Sequence, residues 1–365
     1  MGFKCGLVGL PNVGKSTLFS ALSNLPVDRA NFPFCTVDPN VGVVPVKDER
    51  LYKVAKLVDS SKITPATLEM VDIAGLIKGA SKGEGLGNRF LASIREMDVL
   101  LHVIRGFNAP DVSHLPGDPD PARDIEIVET ELILADLATL DKRKEKALRA
   151  VKGGGEAVRK ELSLLENLYR HLDAGNPAIS FAASAEEKCA IASWQLLTSK
   201  PVIYVFNMGE EYLLEDNYPL ARAAKNIAEK RNSPLLTICA ALEAELLDLD
   251  PEEREAYLVE YGLKETGLHT LVQTGYELLG LVTFFTIKGE EARAWAVKSG
   301  TPAVKGAGKV HSDMERGFIA AEVISWKDLL EAGSLAAAKE KGILRVEGKV
   351  YIIKDGDVIL FRFKA

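Results

Sequence analysis

The fold is decided by the stretch Gly9-Leu10-Pro11-Asn12-Val13-Gly14-Lys15-Ser16, which fits the pattern G-x-x-x-x-G-K-[ST] at every position. The run before it, residues 3–8, is short, mostly apolar and β-prone, so it predicts a buried strand. The run after it, residues 17–22, has apolar side chains at helical spacing. A strand, a glycine-rich turn and a helix form the context that a phosphate-binding P-loop requires.

Each part of this motif has a physical role in holding phosphate. Glycines let backbone N–H groups curl around phosphate oxygens, and the helix N-terminus adds a favourable dipole. The lysine can reach the β- and γ-phosphates, and the serine hydroxyl can ligate Mg²⁺. We assign Lys15 a catalytic role as well. The residues expected to bind the nucleotide here are Asn12, Val13, Gly14, Lys15, Ser16 and Thr17.

Composition and charge place the chain among soluble globular proteins. Of its 365 residues, 47% are hydrophobic and 27% are charged, and this length suffices for two or three domains. The net charge of −7 excludes a globally basic nucleic-acid binder, although not a local basic patch. No run approaches the ~18 apolar residues of a membrane helix. The four scattered cysteines predict free thiols in a reducing cytoplasm.

Short apolar runs alternate with helical stretches through much of the chain. Further strands are predicted at residues 67–71, 98–104, 201–206 and 235–239. This alternation predicts an α/β fold with a parallel sheet, carried by residues 1–121 and 199–280. Ligands of such sheets bind beyond the carboxyl ends of the strands, where the motifs of this chain lie.

An insertion, residues 122–198, separates the strands predicted at 98–104 and 201–206. Apolar residues repeat at three- to four-residue spacing, and Lys152-Gly153-Gly154-Gly155 interrupts them. We therefore expect an antiparallel helical hairpin. The two apolar stripes are Ile125, Val128, Leu132 and Ala135, and then Leu162, Leu165, Tyr169 and Leu172.

The tip of this predicted hairpin is basic. It is either a contact surface or a solvated helix face interleaved with acids, and the sequence leaves both readings open. The basic residues are Lys142, Arg143, Lys144, Lys146, Arg149, Lys152, Arg159 and Lys160.

From about residue 281 the pattern changes to that of a small α+β module, residues 281–365. Strands are predicted at 283–287, 293–297, 318–324 and 358–363, with helices at 327–330 and 335–341. The sequence Asp355-Gly356-Asp357 predicts a turn before the last strand.

Three positions outside the P-loop predict a nucleotide-dependent switch. Thr36, in a loop, can complete the Mg²⁺ shell when a γ-phosphate is present. Asp72, at a strand end, can hold the metal through water, and the Gly75 amide can meet the γ-phosphate. Hydrolysis would then order or release the two loops, as in GTPases.

The base-recognition position departs from the GTPase pattern Asn-Lys-x-Asp. Here the chain has Asn207-Met208-Gly209-Glu210. Glutamate is longer than aspartate by one methylene, so its oxygens fall elsewhere, and a thioether packs on any purine. We expect weakened guanine selectivity, with adenine accepted through backbone groups near Met208.

The position that orients the attacking water also departs from the pattern. Many GTPases carry Gln after the Asp-x-x-Gly motif, whereas Leu76 follows Gly75 here and cannot form a hydrogen bond. Two residues are candidates to replace it. Asn12 could help to hold a monovalent cation, and His114, in a Gly/Pro-rich loop, could act as a polar group.

Together these stretches resemble the YchF/Obg-like ATPase family. The resemblance covers nearly the whole chain. It rests on the P-loop and on Asn31-Phe32-Pro33-Phe34-Cys35-Thr36, Val71-Asp72-Ile73-Ala74-Gly75-Leu76, the glycine-rich run at 78–88 and Asn207-Met208-Gly209-Glu210.

The resemblance implies a fold and a chemistry. The fold is a P-loop NTPase sheet of the Obg type with an inserted helical hairpin and a C-terminal β-grasp (TGS) domain. The activity is Mg²⁺-dependent hydrolysis of ATP in preference to GTP, stimulated by K⁺, which would fit Asn12. The family's catalytic loop histidine matches His114. Its base contacts carry over to Asn207 and Met208, and the metal ligands expected are Ser16, Thr36 and Asp72.

The resemblance also implies partners. We expect a monomeric cytoplasmic protein that binds the ribosome, through the 70S particle or its 50S subunit, as a regulatory switch. The basic helical tip becomes a candidate rRNA contact. Two alternatives remain open: a conventional GTPase with a degenerate base motif, and a nucleotide-gated binding module with negligible turnover.

Overall fold

The computed structural model describes residues 3–25, 40–73, 86–108, 118–151, 155–215 and 217–364. The strands are β1 (Phe3–Val8), β2 (Val41–Val46), β3 (Lys62–Thr64), β4 (Ala66–Asp72), β5 (Val99–Gly106), β6 (Val202–Met208), β7 (Leu235–Ile238), β8 (Leu281–Lys288), β9 (Glu291–Lys298), β10 (Phe318–Ser325), β11 (Arg345–Glu347) and β12 (Asp357–Phe363).

The helices alternate with the strands through the first part of the chain. They are α1 (Lys15–Ser23), α2 (Glu49–Leu57), α3 (Leu86–Arg95), α4 (Pro121–Val151), α5 (Glu156–Asp173), α6 (Ala185–Ser193), α7 (Pro219–Lys230), α8 (Ala240–Asp248), α9 (Pro251–Glu260), α10 (Gly267–Leu278), α11 (Ala303–Val310), α12 (Ser312–Arg316), α13 (Trp326–Ala332) and α14 (Leu335–Glu340).

The first sheet has the strand order β2-β4-β1-β5-β6-β7. Its strands β4, β1, β5, β6 and β7 are parallel, so the predicted α/β fold is confirmed. Strand β2 is an unpredicted addition that runs antiparallel to β4 at the edge. Its Pro45 has no N–H to donate, which an edge strand tolerates. All of β5 is buried, as expected for a central strand covered on both faces.

Parallel pairing fixes the place of any ligand site. The strands β1, β4, β5 and β6 end at Val8, Asp72, Gly106 and Met208. Because these strands are parallel, their carboxyl ends share one edge of the sheet. The P-loop follows β1 at that edge, and α1 packs its Leu18 and Leu22 side chains into the core below.

The insertion forms two helices, α4 and α5, that pack side by side through a cluster containing Leu140, Leu165 and Leu168. The first apolar stripe of α4 does not face α5, because Val128 and Leu132 are buried against the parallel sheet. Half of α4 therefore belongs to the core of the first sheet.

A buried carboxylate fixes this position of α4. Asp136 is fully buried and accepts hydrogen bonds from the Leu197 and Thr198 amides, both at 2.8 Å, and from the Thr198 hydroxyl at 2.7 Å. Arg95, at the end of α3, donates to Thr139 Oγ1 at 3.0 Å. The middle of α4 is thus attached to two other segments of the chain.

The second sheet has the order β11-β10-β12-β8-β9-β3. Its strands and the helices α13 and α14 confirm the elements predicted after residue 281. Strand β3 comes from the first part of the chain, however, and pairs with β9. The Arg50 guanidinium also pairs with Asp48 and with Asp355, so residues 281–364 are fastened to the first sheet domain.

None of the helices in the described parts of the chain combines the length and the apolar character needed to span a lipid bilayer. The division into segments 1–121 with 199–280, 122–198 and 281–365 stays a prediction.

Candidate functional site

The P-loop leaves β1 through backbone conformations that favour glycine. Gly9 has φ 151° and Gly14 has φ 92°. A Cβ atom at Gly9 would lie 2.5 Å from the Val103 carbonyl oxygen, and one at Gly14 would lie 2.1 Å from Asn207 Nδ2. Both glycines are therefore required by close approach as well as by backbone angle.

Lys15 lies at the start of α1 with its side chain buried under the loop. Its ammonium donates to the Gly9 carbonyl at 3.2 Å and to the Leu10 carbonyl at 2.7 Å. An ammonium has three donors, so one N–H remains for a phosphate oxygen. Burial lowers the pKa of Lys15 to about 8, although the Asp72 carboxylate opposes this shift.

Ser16 and Asp72, which the sequence predicts as metal ligands, meet at the same edge of the sheet. The Ser16 hydroxyl donates to Asp72 Oδ2 at 3.3 Å. Asp72 Oδ1 is buried and has no hydrogen-bond partner among the described residues. Burial raises the pKa of Asp72, while the Ser16 hydrogen bond and the Lys15 charge act against that rise.

This pair of side chains fits Mg²⁺. A carboxylate with an unused buried oxygen beside a hydroxyl matches an ion that takes one or two carboxylates and completes its shell with water and phosphate oxygens. Within the described ranges, no three His, Cys, Asp or Glu side chains cluster into a metal site made by protein alone. The donor set therefore suits a metal that arrives with a phosphate ligand.

Asn207, at the end of β6, connects two loops through its side chain. Its Nδ2 donates to the Val13 carbonyl at 3.0 Å, and its Oδ1 accepts from the Ala240 amide at 3.0 Å. Both ends of the amide are thus used by backbone groups. Asn207 therefore supports both the P-loop and the start of α8, which follows β7.

The Met208 thioether was expected to pack on a purine base, but the side chain is buried within the protein. Side chains alternate along a strand, so Met208 shares the face of Tyr204 and Phe206 and packs with them against Tyr218. With only 5% of its surface exposed, it does not present the thioether to a purine. Its backbone remains the group expected to meet the base.

Glu210 follows at the start of a short 3₁₀ turn, Glu210–Tyr212. Its carboxylate accepts a hydrogen bond from the Tyr261 hydroxyl, which is carried by the residue after α9. The carboxyl group that stands where GTPases carry aspartate is thus directed toward a protein donor.

Several predicted site residues lie outside the described residues: Thr36, Gly75, Leu76 and His114. Asn40, the first described residue after the segment that carries Thr36, accepts a hydrogen bond at its carbonyl from the Asp72 amide at 2.9 Å. Among the described ones, Asn12 and Thr17 are exposed, whereas the Val13 side chain is buried in the core and leaves its backbone N–H for a ligand.

His102 is a histidine of the described residues that lies near the loop, since it is opposite Val8 in the β1–β5 pairing. Burial, with the nearby Lys15 charge, lowers the pKa of His102 to about 3, and its ring packs on Tyr204 at 5.6 Å between centroids. This imidazole is neutral at physiological pH and buried, so it is a packing residue.

Sequence reasoning missed one charged residue of the site, Arg105 on β5. The guanidinium is 2% exposed and donates to the Asn12 carbonyl at 3.4 Å. The available signal was an arginine inside the strand Val99–Gly106, whose other residues are apolar except for His102. A buried charge needs partners, and here one of them is the P-loop.

The depressed pKa of Lys15 makes nucleotide binding depend on pH. Triphosphate binds the charged ammonium, so affinity should stay constant below about pH 8 and fall above it by up to ~10-fold per pH unit. Binding above pH 8 should also take up a proton. Titration calorimetry in buffers of different ionisation enthalpy measures both effects.

The variant Lys15→Arg is the control for this prediction, because arginine stays charged over the same range. Any affinity that it retains should not vary with pH. If the unmodified protein binds nucleotide equally well at about pH 7 and about pH 9.5 without proton uptake, Lys15 does not titrate at the site.

Asn207→Ala should weaken ATP and GTP binding by the same factor. The variant removes two buried hydrogen bonds that hold loops, at roughly 1–3 kcal/mol for each group left unsatisfied, and it touches no group that distinguishes the bases. Binding of the two nucleotides measures the ratio. Asn167→Ala, at an exposed site on α5, is the control. A change in the ATP-to-GTP ratio would show that Asn207 reads the base.

Comparison with known proteins places this geometry in a family. Residues 4–130 match a family model described as "50S ribosome-binding GTPase", and residues 281–364 match one named YchF-GTPase_C, described as "Protein of unknown function (DUF933)". The chain is similar to the "Ribosome-binding ATPase YchF" of Escherichia coli O157:H7, with 47% identity across 100% of this chain and 99% of that one.

Two further proteins extend the likeness. The Bacillus subtilis protein of the same name is 44% identical over 100% of both chains. A solved structure, the Schizosaccharomyces pombe YchF GTPase, has a TM-score of 0.89 and 33% identity, covering 99% of this chain and 98% of its own. Similarity of this extent in sequence and in fold shows that the chain belongs to the YchF family.

Proposed function

We propose that this chain hydrolyses ATP in preference to GTP and binds the ribosome as a nucleotide-controlled switch. The observation that carries the proposal is the convergence of an ammonium, a hydroxyl and a carboxylate, from Lys15, Ser16 and Asp72, at one edge of the sheet. The chain is an NTP-hydrolysing P-loop enzyme, as its family and its GTPase-type domain indicate.

The described residues have distinct tasks in this reaction. Backbone N–H groups of the loop bind phosphate oxygens, and Lys15 adds a positive charge beside them. Ser16 and Asp72 would hold Mg²⁺, which when bound neutralises charge on the β- and γ-phosphate oxygens. Thr36 and the Gly75 amide are proposed to join them when a γ-phosphate is present.

The attacking water needs a partner other than Leu76, which carries no polar atom. His114 is proposed to orient it. Asn12 is proposed to help hold K⁺, whose charge would stand in for an arginine finger. Asn12 has the exposure that this requires, with φ 62° at the outer turn of the loop.

The preference for ATP follows from the groups around the base position. Guanine recognition needs a carboxylate that accepts two hydrogen bonds from the base edge. Glu210 is held by Tyr261 instead, and Met208 offers only backbone groups there. These features favour adenine through the backbone and give guanine no carboxylate partner.

GTP remains a second candidate substrate, since the Schizosaccharomyces pombe relative is described as a GTPase. Titration calorimetry with ATP and with GTP, both with Mg²⁺, decides between the two. We expect tighter binding of ATP by about 10-fold, or ~1.4 kcal/mol, and turnover of ATP that rises with K⁺ or with ribosomes. A tenfold preference for GTP would overturn the ATP assignment.

A matched pair of variants sharpens this test. Glu210→Asp restores the side chain that GTPases carry and shortens its reach toward Tyr261, so the preference for ATP should narrow. Glu211→Asp makes the same change one residue later, at an exposed site, and should leave the preference unaltered. If the two variants change the preference for ATP over GTP equally, Glu210 does not take part in base selection.

Ribosome binding and a cytoplasmic location are proposed for this chain on the strength of its relatives, which carry "Ribosome-binding" in their names. We also propose that the protein acts as a monomer. The surface suggested for rRNA is the tip formed by the end of α4 and the start of α5.

Lys152 lies outside the described residues, and the other cations of this tip fall into two groups. Lys144, Arg149 and Lys160 pair with Glu166, Glu145 and Glu156, and Arg143 lies over the Trp194 ring at 5.8 Å. Lys142, Lys146 and Arg159 are exposed and pair with none of the described acids. Among the described cations of the tip, these three are therefore the ones available to RNA phosphates.

Reversing the charge of Lys142, Lys146 and Arg159 to glutamate should weaken ribosome co-sedimentation. Because each phosphate contact contributes about 0.7–0.9 to the slope of log affinity against log salt, the slope should fall by roughly two to three. The same reversal at Arg222, Lys225 and Lys230, exposed on α7, is the control. If both triple variants lose the same affinity, the tip is not the specific contact.

A further inference from the structure

Arg105 is the charged side chain of β5, a strand that is buried along its whole length. A guanidinium keeps its proton in proteins, so it cannot escape the cost of burial by becoming neutral. Burying a charge is costly unless the charge is paired and hydrogen-bonded. The contacts of Arg105 therefore indicate why this charged side chain is buried.

Two of those contacts are made with backbone carbonyls at the P-loop edge of the sheet. Nη1 donates to the Asn12 carbonyl at 3.4 Å, and Nε donates to the Phe107 carbonyl at 3.1 Å. The guanidinium also lies over the Phe107 ring, 4.5 Å from its centroid. That ring reaches the loop as well, because a Cβ atom at Gly14 would lie 4.0 Å from Phe107 Cε1.

The Asn12 carbonyl belongs to the same planar group as the Val13 N–H. A trans peptide plane holds its C=O and its N–H in opposite directions. A carbonyl turned inward toward Arg105 therefore turns the Val13 N–H outward, to the side of the loop on which phosphates bind. Asn207 holds the next carbonyl, that of Val13, and so directs the Gly14 N–H in the same way.

The backbone at Asn12 needs this support. Its φ of 62° lies in the left-handed region, which non-glycine residues adopt at a cost of about 1 kcal/mol or more. Such a conformation persists when surrounding contacts determine it. The hydrogen bond from Arg105 is a contact of this kind.

We propose that Arg105 is a positioning residue for nucleotide binding, whose guanidinium orients the Asn12–Val13 peptide so that the Val13 N–H faces the phosphates. The inference rests on the proposed binding of nucleotide by this loop. It adds a buried donor on β5 to the lysine and asparagine that sequence motifs identify.

A countercharge comes from the first turn of α4. Asp124 is 2% exposed, and its carboxylate raises the pKa of Arg105 against the larger lowering effect of burial. Asp124 also pairs with Arg123 at 3.3 Å. The helix that carries the insertion thus begins beside the group that supports the loop.

Arg105→Gln should weaken binding of ATP and of GTP by roughly 10-fold, and by the same factor for both, because the base is not involved. Arg105→Lys should recover part of the loss, since an ammonium can still donate to the Asn12 carbonyl. Selective ¹⁵N-valine labelling adds a direct readout. The downfield shift of the Val13 amide proton on nucleotide binding should shrink in Arg105→Gln.

Arg254→Gln is the matched control. Arg254 likewise donates to backbone carbonyls, those of Leu246, Leu247 and Leu249, but it does so between α8 and α9. The Arg254→Gln variant should therefore be less stable than the unmodified protein but should bind nucleotide with the same affinity. All variants are compared at a temperature at which circular dichroism shows them folded, and Arg105→Lys carries the test if Arg105→Gln does not fold.

The inference is overturned if the folded Arg105 variants bind nucleotide as tightly as the unmodified protein, or if Arg254→Gln loses as much affinity. It is also overturned if the Val13 amide shift is unchanged. A preference of the unmodified protein for GTP would contradict the proposed ATP specificity and leave this test intact. No nucleotide binding by the unmodified protein would contradict both.

Discussion

The site depends on the direction of the peptide planes between Gly9 and Gly14. Buried donors hold carbonyls of this loop: the Lys15 ammonium, the Arg105 guanidinium and the Asn207 amide. With carbonyls turned toward the protein, the N–H groups on the opposite side of each plane are left for an anion. The loop conformation that binds phosphate is thus fixed by buried side chains. A bound nucleotide would contact these side chains only in part or not at all.

Parallel pairing is what brings these donors together. Lys15 follows β1, Arg105 belongs to β5 and Asn207 ends β6, and these are neighbours in the sheet. Asp72 ends β4 on the other side of β1 and reaches Ser16. An antiparallel arrangement would place alternate strand ends on opposite edges. The fold therefore determines the chemistry of the site, and α4 extends from the same edge toward the basic tip over about 46 Å.

Much of this could be predicted from the sequence, because strand, turn and helix signals around the P-loop are local. The Lys15, Ser16 and Asp72 assignments needed only motif order and the rule on strand ends. Features that depend on contacts between distant parts of the chain could not be predicted from the sequence. The pairing of β3 with β9 joins residues far apart in the chain, and the α4 stripe could have faced either α5 or the sheet. The burial of the Met208 side chain follows from strand alternation, which places it on the packed face of β6.

The measurement that tests the central claim most directly is the structure of the protein with Mg²⁺ and a non-hydrolysable ATP analogue. The account predicts phosphate oxygens about 3 Å from the Val13 and Gly14 amides and from Lys15 Nζ, with the metal at Ser16 and Asp72. A nucleotide bound elsewhere, or a loop whose carbonyls at Asn12 and Val13 face the phosphates, would contradict it.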